Sequence, residues 1–235
     1  EDTLSLHDAL PISIMLRPYG GPHGPQVLKS ALMFAEDQWF ADQGFVVVVA
    51  DGRGTPGRGV AWDHSIYQDF VGPVIEDQVE AVEAVAAHYP DDVDSGRVGI
   101  TGWSFGGYLA ALAVLERPDV FHVAVAGAPV TEWLWYDTAY TERYLGHPEQ
   151  SPEVYAHNSL MHRTDNLQGH LMLVHGFADD NVVVGHSLAL SGELLASGKP
   201  HTVLPLSGVT HMTPQEVVAE NLMRLTLDFF VTHLG

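Results

Sequence analysis

Gly102-Trp103-Ser104-Phe105-Gly106 is the stretch that decides the fold of this chain. A short apolar run precedes it at residues 98–101, and a helix-like apolar run follows it at residues 108–115. Gly-x-Ser-x-Gly between a strand and a helix is typical of a sharp turn that presents a nucleophilic serine. The turn leaves no room for side chains at the positions two residues before and two residues after Ser104. Its strain places Ser104 Oγ above the edge of the sheet. We therefore predict that Ser104 is a nucleophile.

An acid and a histidine follow the serine along the chain. Two further apolar runs end in polar groups, the first in His-Gly-Phe-Ala-Asp-Asp-Asn-Val at 175–182 and the second close to His211. The order serine, acid, histidine is that of α/β-hydrolases, and each group follows a predicted strand, where open α/β sheets place their sites. His211 is expected to take the serine proton while an aspartate holds the imidazole. Spacing alone leaves both Asp179 and Asp180 open as that aspartate.

Apolar runs alternate with helix-like stretches along the whole chain. This alternation favours a mostly parallel sheet with helices on both faces, and 235 residues with 46% hydrophobic content suffice for one core. We predict a single α/β-hydrolase-fold domain over residues 14–235. Its strands are expected at 12–16, 45–50, 98–101, 171–174 and 202–206, and its longer helices at 75–88, 187–197 and 215–234.

Composition excludes several classes of function. With 30 acidic and 10 basic residues the net charge is −20, which repels nucleic acid and anionic lipid. No apolar stretch approaches the roughly 20 residues that span a bilayer. The 14 histidines show no metal-ligand spacing and there is no cysteine, so we expect neither metal nor cofactor. The missing cysteines leave the compartment open among bacterial cytoplasm, periplasm and secretion.

The first residues differ in origin from the rest. Residues 3–12 read Thr-Leu-Ser-Leu-His-Asp-Ala-Leu-Pro-Ile, which is the translation of a widely used sequencing adapter. We therefore expect residues 1–13 to be non-native and exclude them from fold reasoning. Native sequence is expected to begin near Ile14, inside the first strand, which leaves the domain truncated at its N-terminus.

Five motifs together resemble the prolyl oligopeptidase family of serine peptidases, and most of all its dipeptidyl peptidase IV branch. The resemblance covers residues 19–211 and implies an α/β-hydrolase fold that works without a cofactor. It also assigns the acid to Asp179, the first aspartate of the family motif. The motifs are Tyr-Gly-Gly-Pro at 19–22, Asp-Gly-Arg-Gly at 51–54, Gly-Trp-Ser-Phe-Gly-Gly-Tyr at 102–108, Trp-Leu-Trp-Tyr-Asp with Tyr-Thr-Glu-Arg-Tyr at 133–144, and the block at 175–182.

Two donors are expected for the oxyanion that forms during acyl transfer. α/β-Hydrolases use the backbone N–H that follows the nucleophile, here that of Phe105. The resemblance implies that the hydroxyl of Tyr19 is the second donor, in the loop after the first strand. The family often has tyrosine at position 105, but a backbone donor does not depend on the side chain. Arg53 is interpreted as an ion-pair partner in a structural turn.

Five aromatic residues crowd into the twelve positions from Trp133 to Tyr144. Core packing in a helical cap is one interpretation of these rings. The resemblance implies instead a pocket for the residue before the scissile bond, whose compact shape suits a proline ring and holds alanine more loosely. The pocket residues it implies are Val130, Trp133, Tyr136, Tyr140 and Val182, with Asn181 binding a substrate carbonyl.

The resemblance implies an exopeptidase that releases N-terminal dipeptides with proline or alanine at the second position. An acylaminoacyl- or prolyl oligopeptidase, a carboxylesterase and a non-catalytic hydrolase-fold fragment remain alternatives. Relatives carry a β-propeller whose acidic residues hold the free amine of the peptide, and we expect that propeller to be missing here, so that the fragment alone could be inactive. Peptide is the expected partner, nucleic acid and membrane are not, and a homodimer is compatible with this interpretation.

Overall fold

A computed structural model describes residues 11–234, and the strands in this range form one parallel sheet. Every neighbouring pair is parallel, and the spatial order is β2-β1-β3-β4-β5-β6. The sheet therefore confirms the predicted architecture. The strands are β1 (Ile12–Leu16), β2 (Val46–Val48), β3 (Val93–Trp103), β4 (Val123–Gly127), β5 (His170–Gly176) and β6 (Thr202–Leu206).

Helices connect the strands, as the crossover between parallel neighbours requires. The three longer helices predicted from the sequence are present, each with its first residue within three positions of the expected one. They are part of a set comprising α1 (Ala35–Asp42), α2 (Val60–Asp63), α3 (Gly72–His88), α4 (Phe105–Glu116), α5 (Thr138–Leu145), α6 (Pro152–Asn158), α7 (Gly185–Ala196) and α8 (Glu216–Leu234).

Alternate residues of the central strands enter two separate cores, one on each face of the sheet. In β4, Ala124 and Ala126 face the core built with α3, α4 and α7, whereas Val123 and Val125 face the core built with α1 and α8. β1 and β5 divide in the same way. Since side chains of a strand point to opposite faces with period two, both faces need apolar residues, and the strands read as nearly continuous apolar runs.

The predicted boundary of native sequence falls inside β1. Residues 1–10 lie outside the described part of the chain, whereas Ile12 and Ser13 lie in the strand. The pairing of β1 with β3 changes register between Ser13 and Ile14, and it is regular from Ile14 onward. The non-native origin of residues 1–13 stays a prediction.

The helix that follows the predicted nucleophile is the most deeply buried one. Every residue of α4 from Phe105 to Leu115 is buried, and apolar residues therefore lie on all sides of the helix. Small residues let it approach the sheet closely: a Cβ on Gly107 would lie 2.1 Å from the carbonyl oxygen of Gly127 in β4. This contact fixes the position of the helix start beside the sheet edge. None of the helices among residues 11–234 has both the length and the apolar character of a membrane span.

Candidate active site

Ser104 lies between the end of β3 and the start of α4 with φ 60° and ψ −115°, a region that non-glycine residues seldom occupy. A Cβ on Gly102 would lie 2.5 Å from the carbonyl oxygen of Gly106, and one on Gly106 would lie 2.7 Å from that of Pro18. Both glycines are therefore required by close backbone approach, as the motif predicts. The turn is held to β4 by the N–H of Ser104, which donates to the carbonyl of Gly127 at 2.8 Å.

The predicted acid and base are in contact. Nδ1 of His211 donates to Oδ2 of Asp179 at 2.8 Å, since a carboxylate can only accept. The other oxygen of Asp179 accepts the backbone N–H groups of Asn181 and Val182, each at 2.9 Å. The Asp179 side chain is fully buried, whereas Asp180 is exposed. The geometry thus singles out the aspartate that the resemblance selected.

The loops that carry the acid and the base follow neighbouring strands and touch each other. The backbone N–H of Ala178 donates to the carbonyl of Val209 at 3.0 Å, and a Cβ on Gly176 would lie 2.3 Å from that same oxygen. The indole N–H of Trp103 donates to the carbonyl of His211 at 2.6 Å. The residue beside the predicted nucleophile therefore holds the backbone of the predicted base.

Sequence reasoning did not single out His175, although it opens the motif that contains Asp179. Its Nε2 lies 2.7 Å from the carbonyl of Val182, which accepts, and 3.4 Å from Oδ2 of Asp179. Its Nδ1 therefore accepts from the hydroxyl of Ser187 at 2.7 Å. Burial lowers the pKa of His175, so the ring is a neutral donor beneath the carboxylate.

A cavity of about 650 Å³ opens at this edge of the sheet, and Tyr19, Ser104, Tyr136, Asn181 and His211 all line it. Burial raises the pKa of Tyr19, and neighbouring Tyr136 and Tyr144 raise it further. Its hydroxyl therefore stays protonated and able to donate at neutral pH. The backbone N–H of Phe105 belongs to the first turn of α4, where N–H groups lack partners within the helix.

Four aromatic rings, here called the aromatic cluster, pack beside this cavity. Trp133 lies in a 3₁₀ turn and stacks on Tyr140 with centroids 6.2 Å apart and planes at 11°. Tyr136 meets Trp133 edge-on at 6.0 Å, and Tyr144 tilts against Tyr140 at 5.1 Å. The side chain of Asp137 caps α5 by accepting the N–H of Tyr140 at 2.9 Å. Tyr140 and Tyr144 lie on one face of this helix because they are four residues apart.

The predicted pocket residues divide into two groups. Tyr136 and Asn181 line the cavity, and the Tyr136 hydroxyl donates to Oδ1 of Asn181 at 3.1 Å. The amide NH₂ of Asn181 has no hydrogen-bond acceptor among residues 11–234. Val130, Trp133 and Val182 are at most 2% exposed and belong to the core. For these three the packing interpretation describes their surroundings. Tyr140 joins this second group, because it is half-buried, packs against the core and is not among the residues that line the cavity.

Two further residues from the quoted motifs act outside the cavity. Arg53 donates to Asp77 at 2.9 Å and to Glu76 at 2.8 Å, which confirms its interpretation as an ion-pair partner. Trp135 is half exposed and lies 5.6 Å from the ring of His186, away from the aromatic cluster. Aromatic density in the sequence could not separate Trp135 from the other rings, because only the 3₁₀ turn sets which way it points.

His186 is a buried histidine whose charge is costly. Its Nδ1 accepts the backbone N–H of Thr131 at 3.2 Å, and its Nε2 has no partner among the described residues. Burial, and then neighbouring His175, lowers its pKa to about 4. The unfolded chain binds this proton near pH 6.5, whereas the folded chain binds it only near pH 4. The free energy of unfolding must therefore decrease as the pH is lowered from 6.5 to 4.

We expect His186 to lower the free energy of unfolding by about 3 kcal/mol as the pH falls from 6.5 to 4, and its contribution to level off below pH 4. His186→Gln keeps an acceptor for the N–H of Thr131 but cannot take up the proton. Urea unfolding of both proteins at pH 7, 5.5 and 4.5 should therefore give a shallower pH dependence for the variant. Equal slopes would show that His186 is not buried as described.

The strained serine, the adjoining aspartate–histidine pair and the parallel sheet define the chain as an α/β-hydrolase. The family model described as the prolyl oligopeptidase family matches residues 31–235, and the chain belongs to that family.

Its relatives include several dipeptidyl peptidases. Dipeptidyl peptidase 8 of Homo sapiens is 42% identical over 186 residues, and dipeptidyl peptidase 4 of Sus scrofa is 33% identical over 188. These matches cover 76% and 79% of this chain but 21% and 24% of the relatives, so the chain spans about a quarter of their length or less. The crystal structure of Porphyromonas gingivalis dipeptidyl peptidase 4 superposes with a TM-score of 0.88 at 30% identity, covering 94% of this chain and 31% of that one.

Proposed function

We propose that this chain carries the catalytic site of a serine peptidase that releases N-terminal dipeptides with proline or alanine at the second position. The observation that carries the proposal is the contact of His211 with the buried Asp179, in a cavity that Ser104 also lines. The matches to dipeptidyl peptidases support the reaction class.

In the proposed mechanism, Ser104 Oγ attacks the carbonyl carbon of the scissile bond while Nε2 of His211 accepts its proton. Asp179 fixes the tautomer with the proton on Nδ1 and stabilises the imidazolium. His211 then returns the proton to the departing amine, and the C–N bond breaks to leave an ester on Ser104. Water, deprotonated by His211, hydrolyses that ester and frees the serine.

In this mechanism two hydrogen-bond donors stabilise the negative charge on the tetrahedral intermediate. They are the backbone N–H of Phe105 and the hydroxyl of Tyr19. We expect Tyr19→Phe to lower kcat about 10²- to 10³-fold with KM little changed, because the hydroxyl is needed only once the oxyanion develops. Steady-state kinetics on a dipeptide amide measures both constants. Tyr67→Phe, at an exposed tyrosine outside the cavity, is the matched control. Full activity in Tyr19→Phe would mean that another group supplies the second donor.

Tyr136, backed by the other rings of the aromatic cluster, is proposed as the wall for the residue before the scissile bond. A proline ring presents flat apolar faces that pack against aromatic side chains without a charged partner. The amide NH₂ of Asn181, which has no acceptor among the described residues, is proposed to donate to a substrate carbonyl. The acidic surface, with a net charge of −20, favours a substrate that carries a free amino terminus.

A panel of chromogenic substrates tests this proposal. It contains Gly-Pro, Gly-Ala and Gly-Phe anilides with free amino termini, the N-acetylated Gly-Pro anilide, and a simple acyl ester. We expect kcat/KM to fall in the order Gly-Pro, Gly-Ala, Gly-Phe, and acetylation to abolish cleavage. Preference for the acetylated substrate would favour an acylaminoacyl- or oligopeptidase. Cleavage of the ester alone would favour a carboxylesterase.

A further inference from the structure

His23 stands out because its backbone is left-handed, with φ 72°, although it carries a bulky side chain and is exposed to solvent. Only four non-glycine residues in the described part of the chain have positive φ, and one of them is Ser104. A left-handed histidine is strained and persists only where its surroundings hold it. The contacts of its side chain therefore need an explanation.

The imidazole of His23 reaches across to the aromatic cluster. Its Nε2 is hydrogen-bonded to the hydroxyl of Tyr144. The ring also meets Tyr144 edge-on with centroids 5.8 Å apart at 66°, and Tyr140 at 6.1 Å and 62°. His23 thus touches two successive turns of α5, and both of its partners are neighbours in the cluster.

The same loop carries Tyr19, the proposed oxyanion donor. A Cβ on Gly24 would lie 2.2 Å from the Tyr19 ring, so the backbone after His23 packs closely against that ring. Tyr19 and His23 are only four residues apart. Tyr19 lines the cavity, whereas His23 contacts Tyr144 on α5. The loop therefore connects the cavity at Ser104 with α5, and His23 is its point of attachment to the helix.

From these contacts we infer that His23 is a positioning residue, which ties the loop of Tyr19 to Tyr140 and Tyr144 and so keeps the proposed proline pocket narrow. This inference rests on the proposed function for the pocket, but not for the attachment itself. Without the imidazole, the tyrosines on α5 lose one neighbour on their solvent side and have room to move outward. A wider pocket holds proline less firmly and admits larger side chains.

Three variants separate the role of the ring from that of the backbone. His23→Gly keeps the left-handed conformation and removes the contacts. His23→Gln places an amide near the former Nε2, and Gln68 shows that glutamine adopts a positive φ, 64°, elsewhere in this chain. Tyr144→Phe removes only the hydroxyl that His23 binds. His162→Ala, at an exposed histidine in the 3₁₀ turn Met161–Asn166, is the control.

The ratio of kcat/KM for Gly-Pro anilide to that for Gly-Phe anilide is the first measurement. We expect a fall of about tenfold in His23→Gly, the lower end of what a lost apolar contact gives in a binding pocket. Tyr144→Phe should lower the ratio in the same direction, and the double variant should be no worse than His23→Gly, because both changes break one contact. His23→Gln should recover much of the ratio, and His162→Ala should not change it.

Hydrogen–deuterium exchange is the second measurement, and it does not depend on activity. Amide exchange in the last turn of α5 and in residues 19–24 should accelerate in His23→Gly and not in His162→Ala. Wild-type protein that a fluorophosphonate probe does not label at Ser104 would overturn the proposed function. If the chain by itself cleaves no amide, the exchange data still decide whether His23 attaches the loop. An unchanged substrate ratio together with unchanged exchange in His23→Gly would overturn the inference.

Discussion

Ser104→Ala is expected to lower kcat about 10⁶-fold, the scale seen when a triad nucleophile is removed. Alanine keeps the Cβ of serine and therefore the same strain at φ 60°, so the turn and α4 should remain as they are. The loss should consequently appear in turnover and not in the midpoint of thermal unfolding.

A fluorophosphonate probe provides a direct measurement that does not depend on the substrate. It should label wild-type protein at Ser104 and leave Ser104→Ala unlabelled. Ser95→Ala, at an exposed serine in β3, should be labelled like wild type. Labelling of any other serine, located by peptide mapping, would falsify the assignment of the nucleophile.

Asp179→Asn is expected to lower kcat about 10⁴-fold, as in the known triad case. Two backbone N–H groups, of Asn181 and Val182, point at Oδ1 of this side chain and will select the carbonyl oxygen of the asparagine. Its NH₂ then faces Nδ1 of His211 and donates to it. The proton of the ring is thereby displaced to Nε2, and the imidazole can no longer accept the proton of Ser104.

Asp180→Asn is the matched control, because it makes the same chemical change at the adjacent, exposed position. We expect it to cost far less activity than Asp179→Asn. A downfield proton resonance from Nδ1–H of His211 should be visible by NMR in wild type and Asp180→Asn, and lost in Asp179→Asn. The reverse order of the two variants would show that the acid was assigned to the wrong residue.

Much of the site could be predicted from residue order because the elements that position it are local. A glycine-flanked serine between a strand and a helix has few conformations available, and Gly102 and Gly106 show the close approach that the motif requires. The acid could not be predicted in this way. Asp179 and Asp180 are adjacent and chemically identical, so residue spacing could not distinguish them. Burial and the two backbone donors on Asp179 do so in the folded chain.

The aromatic cluster shows the limit of sequence patterns more clearly. The density of rings from Trp133 to Tyr144 predicts a packed region but not which rings face the cavity. Trp133 is in the core, Trp135 points to His186, and Tyr136 lines the cavity, although these residues are almost adjacent. The direction in which each side chain of a 3₁₀ turn or of the start of α5 points depends on the residues that pack against it.

The sequence by itself determined the architecture, the serine turn and the placing of His211 after a strand, because short continuous apolar runs and glycine spacing act over a few residues. Tertiary structure alone decided the contacts between distant segments. The contact of Trp103 with the carbonyl of His211 and that of His23 with Tyr144 join residues that are 108 and 121 positions apart in the chain. Such contacts follow from how helices and loops pack on the sheet, and no local pattern of residues encodes that packing.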